Sequence, residues 1–163
     1  MGMLVVGISD LKLASPPDTL ITYALGSCVG ICLLDPVTRI AGLSHIMLPT
    51  SQISPQDLNI YKFADTAIPH LVRQMEMKGA LRSRIKAKIA GGAQMFDTPA
   101  GAAKDSIWQI GQRNVMAVTD MLRKLGIPIV AQDVLKNHGR TISFDPSTGM
   151  MSIRSLNKSS YDI

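Results

Sequence analysis

Two apolar runs, Leu20 to Leu25 and Val29 to Leu34, flank Gly26-Ser27-Cys28, and a third from Ile40 to Leu48 follows the turn Asp35-Pro36-Val37-Thr38-Arg39. Short aliphatic and β-branched runs bounded by turn residues predict strands. The second and third runs predict a hairpin about the Asp35 turn. Neither shows the polar alternation of a half-solvated strand, so the hairpin is expected to be buried on both faces. The chain has 163 residues, 46% of them hydrophobic. That suffices for one globular domain burying on the order of 70% of its unfolded surface, and it excludes a disordered tail or a coiled coil.

Residues 3–8 read as a further strand, closed by Ser15-Pro16-Pro17-Asp18. From Asp57 to Lys78 the apolar residues Ile60, Ala64, Ala67, Ile68, Leu71, Val72 and Met75 recur at helical spacing, with Pro69 expected to kink or restart the helix and Gly79 to stop it. Arg82, Arg84, Lys86 and Lys88 alternate with Ser83, Ile85, Ala87 and Ile89, which predicts a strand with one basic face, ended by Gly91-Gly92. Residues 94–111 read as an irregular connection. Gln112 to Leu125 predicts a second helix with Val115, Val118, Leu122 and Leu125 on its stripe, stopped by Gly126. Ile127 to Leu135, Arg140 to Phe144 and Met150 to Arg154 read as strands, and 155–163 as a loose tail. Strands with two helices set among them, without regular alternation, predict a mixed α+β layer fold in a single domain, 1–163.

Composition narrows the chemistry. Of twelve carboxylates only Glu76 is a glutamate, so an acid/base pair of two glutamates is excluded by counting. Aromatic residues make up 4% of the chain, leaving few platforms for stacked bases, and no nucleic-acid motif accompanies them. A net charge of +5 favours acidic partners without choosing among them. Two cysteines, no signal peptide, no apolar run of about 18 residues and no zinc-like Cys/His spacing predict free thiols in a cytoplasmic setting.

Cys28 follows a flexible Gly-Ser corner that opens onto a buried strand. Such a corner can expose a nucleophile and leave backbone N–H groups for an oxyanion, although a lone cysteine in an apolar run is more often a small buried side chain. His45 lies in the strand expected to pair with that of Cys28. If the hairpin turns near residues 36–38, opposed positions sum to about 74, which sets Cys28 opposite Ile46 and within one step of His45. A histidine there is expected to form an ion pair that lowers the thiol pKa; the alternative is a satisfied, half-buried imidazole. Thr22 and Tyr23 are the nearest polar side chains that could orient the imidazole. Thr22 shares parity with Cys28 but is more readily explained as a β-branched strand residue.

Cys32 is four residues further along an extended strand, about 13 Å away, beyond the roughly 7 Å over which a disulfide can form, and reads as core. His70 and His138 have no paired ligands nearby. Gly91-Gly92-Ala93 lacks the Gly-Lys-Ser/Thr of a phosphate loop.

The stretches Leu20-Ile-Thr-Tyr-Ala-Leu-Gly-Ser-Cys-Val29, Ser44-His-Ile-Met-Leu-Pro49, Ala87-Lys-Ile-Ala-Gly-Gly-Ala93, Ile110-Gly-Gln-Arg-Asn-Val115 and Gly139-Arg-Thr-Ile-Ser-Phe144, with Thr148-Gly149, occur in order along the chain. Together they resemble the CheD family, the chemoreceptor glutamine deamidases of chemotaxis. The resemblance implies an α/β/β/α-type sandwich similar to the catalytic domain of cytotoxic necrotizing factor toxins. It also implies a cysteine hydrolase whose Cys-His-Thr triad falls on Cys28, His45 and Thr22, with no metal or organic cofactor. The implied substrate is a glutamine on the cytoplasmic helices of chemoreceptors, at membrane-associated arrays, and the implied partner is the CheY-phosphate phosphatase CheC. A rival expectation is a non-catalytic adaptor that binds receptors or CheC. Two places depart from the family pattern. Leu135-Lys136-Asn137-His138 stands where a Gly-Gly pair is common, and Gln112 stands where an acidic residue is common.

Overall fold

The computed structural model describes residues 2–95, 109–155 and 159–163. Strands β1 (Met3–Val5), β2 (Asp10–Ala14), β3 (Thr19–Leu25), β4 (Val29–Asp35) and β5 (Ile40–Ile46) precede helix α1 (Ala64–Met77). Then come β6 (Lys86–Gly91), helix α2 (Ile110–Lys124), β7 (Ile129–Val134), β8 (Arg140–Asp145), β9 (Met150–Ser155) and β10 (Ser160–Asp162). The strands form two mixed sheets of five, in the orders β1-β3-β8-β9-β10 and β2-β5-β4-β6-β7, here sheets I and II.

The layers follow from which faces are apolar. Every residue of β4 is buried, as the unbroken apolar run predicts. Val29, Ile31 and Leu33 point to the helices, where they meet Ala64, Ile68, Leu71 and Val72 of α1 and Val118 and Leu122 of α2. Cys32 and Leu34 point the other way, into a second core with Leu20, Leu25, Ile142, Phe144, Met151 and Ile153 of sheet I. The result is an α+β sandwich in which both described helices lie on the outer face of sheet II. The far side of sheet I alternates buried and open residues in β8 and β9. Gly42 lets α1 sit close on β5, since a Cβ there would be 2.5 Å from Leu71 Cδ1.

Several local expectations are corrected. The opening strand ends at Val5; residues 6–9 cross from sheet I to sheet II, and β2 then pairs antiparallel with β5. Helix α1 begins at Ala64, not Asp57, and runs through Pro69 without interruption. The buried Ile68, Leu71 and Val72 on either side of the proline offset a cost of about 3 kcal/mol. No basic strand face spans 82–88: Arg82–Arg84 form a 3-10 turn, and the strand starts at Lys86. Arg84 is drawn instead to the fully buried Asp35, whose carboxylate it reaches at 2.8 Å, while Lys88 donates to the carbonyls of Gly149 and Ile163 at 2.7 and 2.8 Å. Nor is the end of the chain a loose tail throughout, because β10 pairs antiparallel with β9 and Ile163 exchanges backbone hydrogen bonds with Met151. Most of the connection expected at 94–111 falls outside the described residues.

Candidate active site

The corner between β3 and β4 is held by its carbonyls. Ala93 N–H donates to Gly26 at 2.8 Å, Gly92 N–H to Cys28 at 2.8 Å, and the Asn114 side chain to Ser27 at 2.9 Å. Gly91 adopts a φ of 110° and passes so close that a Cβ would lie 2.3 Å from the Cys28 carbonyl oxygen. The Gly91-Gly92 pair thus cradles the corner and is no phosphate loop. Upstream, a bulge between Thr22 and Leu25, with Ala24 at φ 59°, turns β3 into the corner. Cys28 is left half-buried against the core between the sheets.

The hairpin register differs by one from that expected. Val29 pairs with Ile46 and Gly30 with His45, so Cys28 extends the ladder opposite Met47. His45 is then diagonal to Cys28 on the same face, whereas the expected register would have set it on the opposite face. Gly30, directly beside His45, supplies no side chain; a Cβ there would be 2.8 Å from Ile142 Cδ1. The imidazole therefore occupies the layer between the sheets.

There it meets Thr22 of sheet I, and both residues are fully buried. Thr22 Oγ1 lies 2.7 Å from His45 Nδ1 and donates to the Val6 carbonyl at 2.7 Å. A hydroxyl has one proton to give. With that proton committed to Val6, the oxygen accepts from Nδ1–H, which fixes the tautomer and leaves the Nε2 lone pair free. Nε2 is buried and has no hydrogen-bond partner among the described residues.

Electrostatics weigh against the expected ion pair. Burial lowers the His45 pKa to about 4, and burial raises that of the Cys28 thiol, only partly opposed by its own backbone N–H. Both shifts favour the neutral forms, because burial penalises the charged thiolate and imidazolium.

The remaining sequence candidates lie elsewhere. Cys32 is fully buried, its Sγ 3.8 Å from Met151 Sδ, and neither cysteine forms a disulfide. His70 stacks at an angle near Tyr61, and the His138 carbonyl accepts from Arg140. In the departing loop, Leu135 and Lys136 adopt φ values of 68° and 64°, a region that favours glycine. Two contributors went unread in the sequence. The Val6 carbonyl carries no side-chain signature, but Asn114 did leave one, a polar residue on the apolar stripe of α2 in step with Val118 and Leu122.

Comparison with known proteins places the chain among relatives of one kind. The family model described as "CheD chemotactic sensory transduction" matches residues 47–155, a span that begins just past Thr22, Cys28 and His45. "Chemoreceptor glutamine deamidase CheD" of Halalkalibacterium halodurans is 48% identical over 159 residues, covering 97% of this chain and 96% of the relative. "Probable chemoreceptor glutamine deamidase CheD" of Lachnoclostridium phytofermentans is 47% identical over 156 residues, 96% of this chain and 95% of the relative. The protein of the same name from Clostridium novyi is 48% identical over 151 residues, 93% and 91% of the two chains.

Proposed function

The chain belongs to the CheD family, and on that premise we propose that it is a protein-glutamine glutaminase converting glutamine side chains of chemoreceptors to glutamate. Cys28 is the nucleophile, His45 the general base and acid, and Thr22 the group that orients the imidazole. The observation that carries this reading is the hydrogen bond between Thr22 Oγ1 and His45 Nδ1, which leaves an unpartnered Nε2 on the face that Cys28 shares.

As sulfur attacks the carboxamide carbon, Nε2 takes the thiol proton, and backbone N–H groups of the 26–28 corner hold the oxyanion. The tetrahedral species then breaks its C–N bond. His45 gives its proton to the departing nitrogen, ammonia leaves, and a thioester joins the substrate to Cys28. Water attacks that thioester while Nε2 takes its proton, and the sulfur leaves with the proton returned to it. The product is a glutamate side chain. Thr22 has no full charge with which to stabilise imidazolium, so turnover is modest. The +5 net charge assists docking on acidic helices, an effect that weakens with salt. A CheC-type phosphatase is the partner that the family resemblance suggests.

A second reading, an adaptor that binds receptors or CheC without chemistry, draws on the exposed Tyr23, Met47, Met95 and Leu135 near the corner. One experiment separates the two. A receptor cytoplasmic fragment is incubated with the wild-type protein or with Cys28→Ala, followed by mass spectrometry of its glutamine-containing peptides. Gains of about one dalton per converted site, with ammonia released, are expected from the wild type alone. Binding by both proteins with conversion by neither overturns the enzymatic reading in favour of the adaptor.

A further inference from the structure

Asn114 is fully buried near the start of α2, and its amide nitrogen donates to two carbonyls that belong to different parts of the fold. One is Ser27, at 2.9 Å, in the peptide that leads into Cys28; the other is Met47, at 3.0 Å, two residues beyond His45. Only the amide orientation with nitrogen toward both carbonyls makes two attractive contacts, because the reverse would set oxygen against oxygen. A single carboxamide thus spans the loop carrying the thiol and the strand carrying the imidazole.

Asn114 stands apart from the other side chains of its stripe. Its Oδ1 is buried without a hydrogen-bond partner among the described residues, a desolvation cost that an apolar side chain would avoid. Its neighbours on the same stripe, Val115, Val118 and Leu122, are apolar and pack into the core. The helix that carries Asn114 is itself seated without play. A Cβ on Gly111 would lie 2.4 Å from the Ala93 carbonyl oxygen, so α2 rests directly on the segment that cradles the corner.

We propose that Asn114 is a positioning residue that sets the spacing between Cys28 Sγ and His45 Nε2 through the Ser27 and Met47 peptides. The proposal rests on the reading of Cys28 and His45 as the reacting pair. It acts on geometry, which governs the attack step, and leaves substrate docking alone.

The test uses the whole chain and two readouts, only one of which needs a substrate. Wild type, Asn114→Ala, Asn114→Ser, His45→Ala and Val118→Ala are compared, each shown to be folded by circular dichroism and placed on a urea unfolding scale. Val118→Ala controls for destabilisation of the same helix without a polar link to the site. Deamidation of a receptor fragment is expected to lose about 30-fold in kcat for the Asn114 variants with KM within about twofold, whereas Val118→Ala keeps both. The second readout is alkylation of Cys28 by iodoacetamide as a function of pH, in which the fully buried Cys32 stays silent. Below about pH 8 the part of the rate that depends on His45 is expected to vanish in the Asn114 variants, as it does in His45→Ala. Asn114→Ser carries the test should the alanine variant fail to fold.

Folded Asn114 variants whose kcat and alkylation profile stay within about twofold of Val118→Ala overturn the proposal. An alkylation profile unchanged by His45→Ala also overturns it, since there would then be no pair to position. A wild type that deamidates no receptor sinks the functional reading instead, and alkylation still decides on the clamp.

Discussion

Thr22 Oγ1 and His45 Nδ1 lie 2.7 Å apart across the boundary between the two sheets, and the direction of that hydrogen bond is set by a third group, the Val6 carbonyl, which takes the threonine's only proton. The hydroxyl is thereby made an obligate acceptor. It can hold Nδ1–H as a carboxylate would but carries no charge, so the contact gives little stabilisation to a protonated imidazole.

Thr22→Val removes the acceptor while keeping the shape. The Nδ1–H then has no partner and the tautomer is no longer fixed, so kcat is expected to fall about 100-fold and stability by about 1–3 kcal/mol. Thr22→Ser keeps the hydroxyl and should stay within about threefold of wild type. Ammonia release at saturating receptor fragment, with urea unfolding alongside, measures both.

Acid should weaken the fold through His45. The unfolded chain protonates this histidine below its ordinary 6.5, the folded chain only below about 4, so between those values the unfolded state holds the extra proton. Stability is therefore full above the first value and is lost as pH falls toward the second, by about 3 kcal/mol in all. His45→Gln should flatten urea midpoints over that window. An equal slope in the variant would assign the acid sensitivity elsewhere.

Asp35→Ala tests the joint at the far end of the hairpin. The Asp35 carboxylate accepts from the backbone N–H groups of Val37, Thr38 and Leu81 and from the Arg84 guanidinium. Burial alone would raise its pKa, but those donors outweigh burial and hold it well below the usual carboxylate range. Removing it is expected to cost about 3 kcal/mol by urea unfolding, with kcat per folded molecule unchanged.

Lys136→Gly relieves a left-handed residue whose side chain is exposed. Strain of about 1 kcal/mol is released and part of it is returned as backbone entropy of the unfolded glycine. The melting temperature is therefore expected to rise slightly and never to fall by several degrees. The same change at a residue with ordinary φ would lower it.

Much of the fold was legible because it is written locally. The unbroken run of β4 declared a strand buried on both faces, and the stripes of α1 and α2 declared their inner sides. What misled was local signal overruled at a distance. Pro69 stays inside α1 because core contacts on both flanks outweigh a missing hydrogen bond. Arg84 leaves a strand-like alternation because a buried Asp35 needs its charge. Residues 160–162, polar and unremarkable by themselves, become a strand because β9 offers them an unpaired edge.

The site divides in the same way. Residue type and turn placement, all local, brought Cys28 and His45 into one hairpin within a step of each other. Register decided whether they share a face, and register depends on how both sheets and the helices pack. Thr22 belongs to the other sheet, so no count along the chain reaches its contact with His45; only the packing of sheet I on sheet II makes it. The charge state was beyond sequence as well. Proximity of a thiol and an imidazole predicted an ion pair, and burial, which exists only in the assembled tertiary structure, reversed that balance toward the neutral forms.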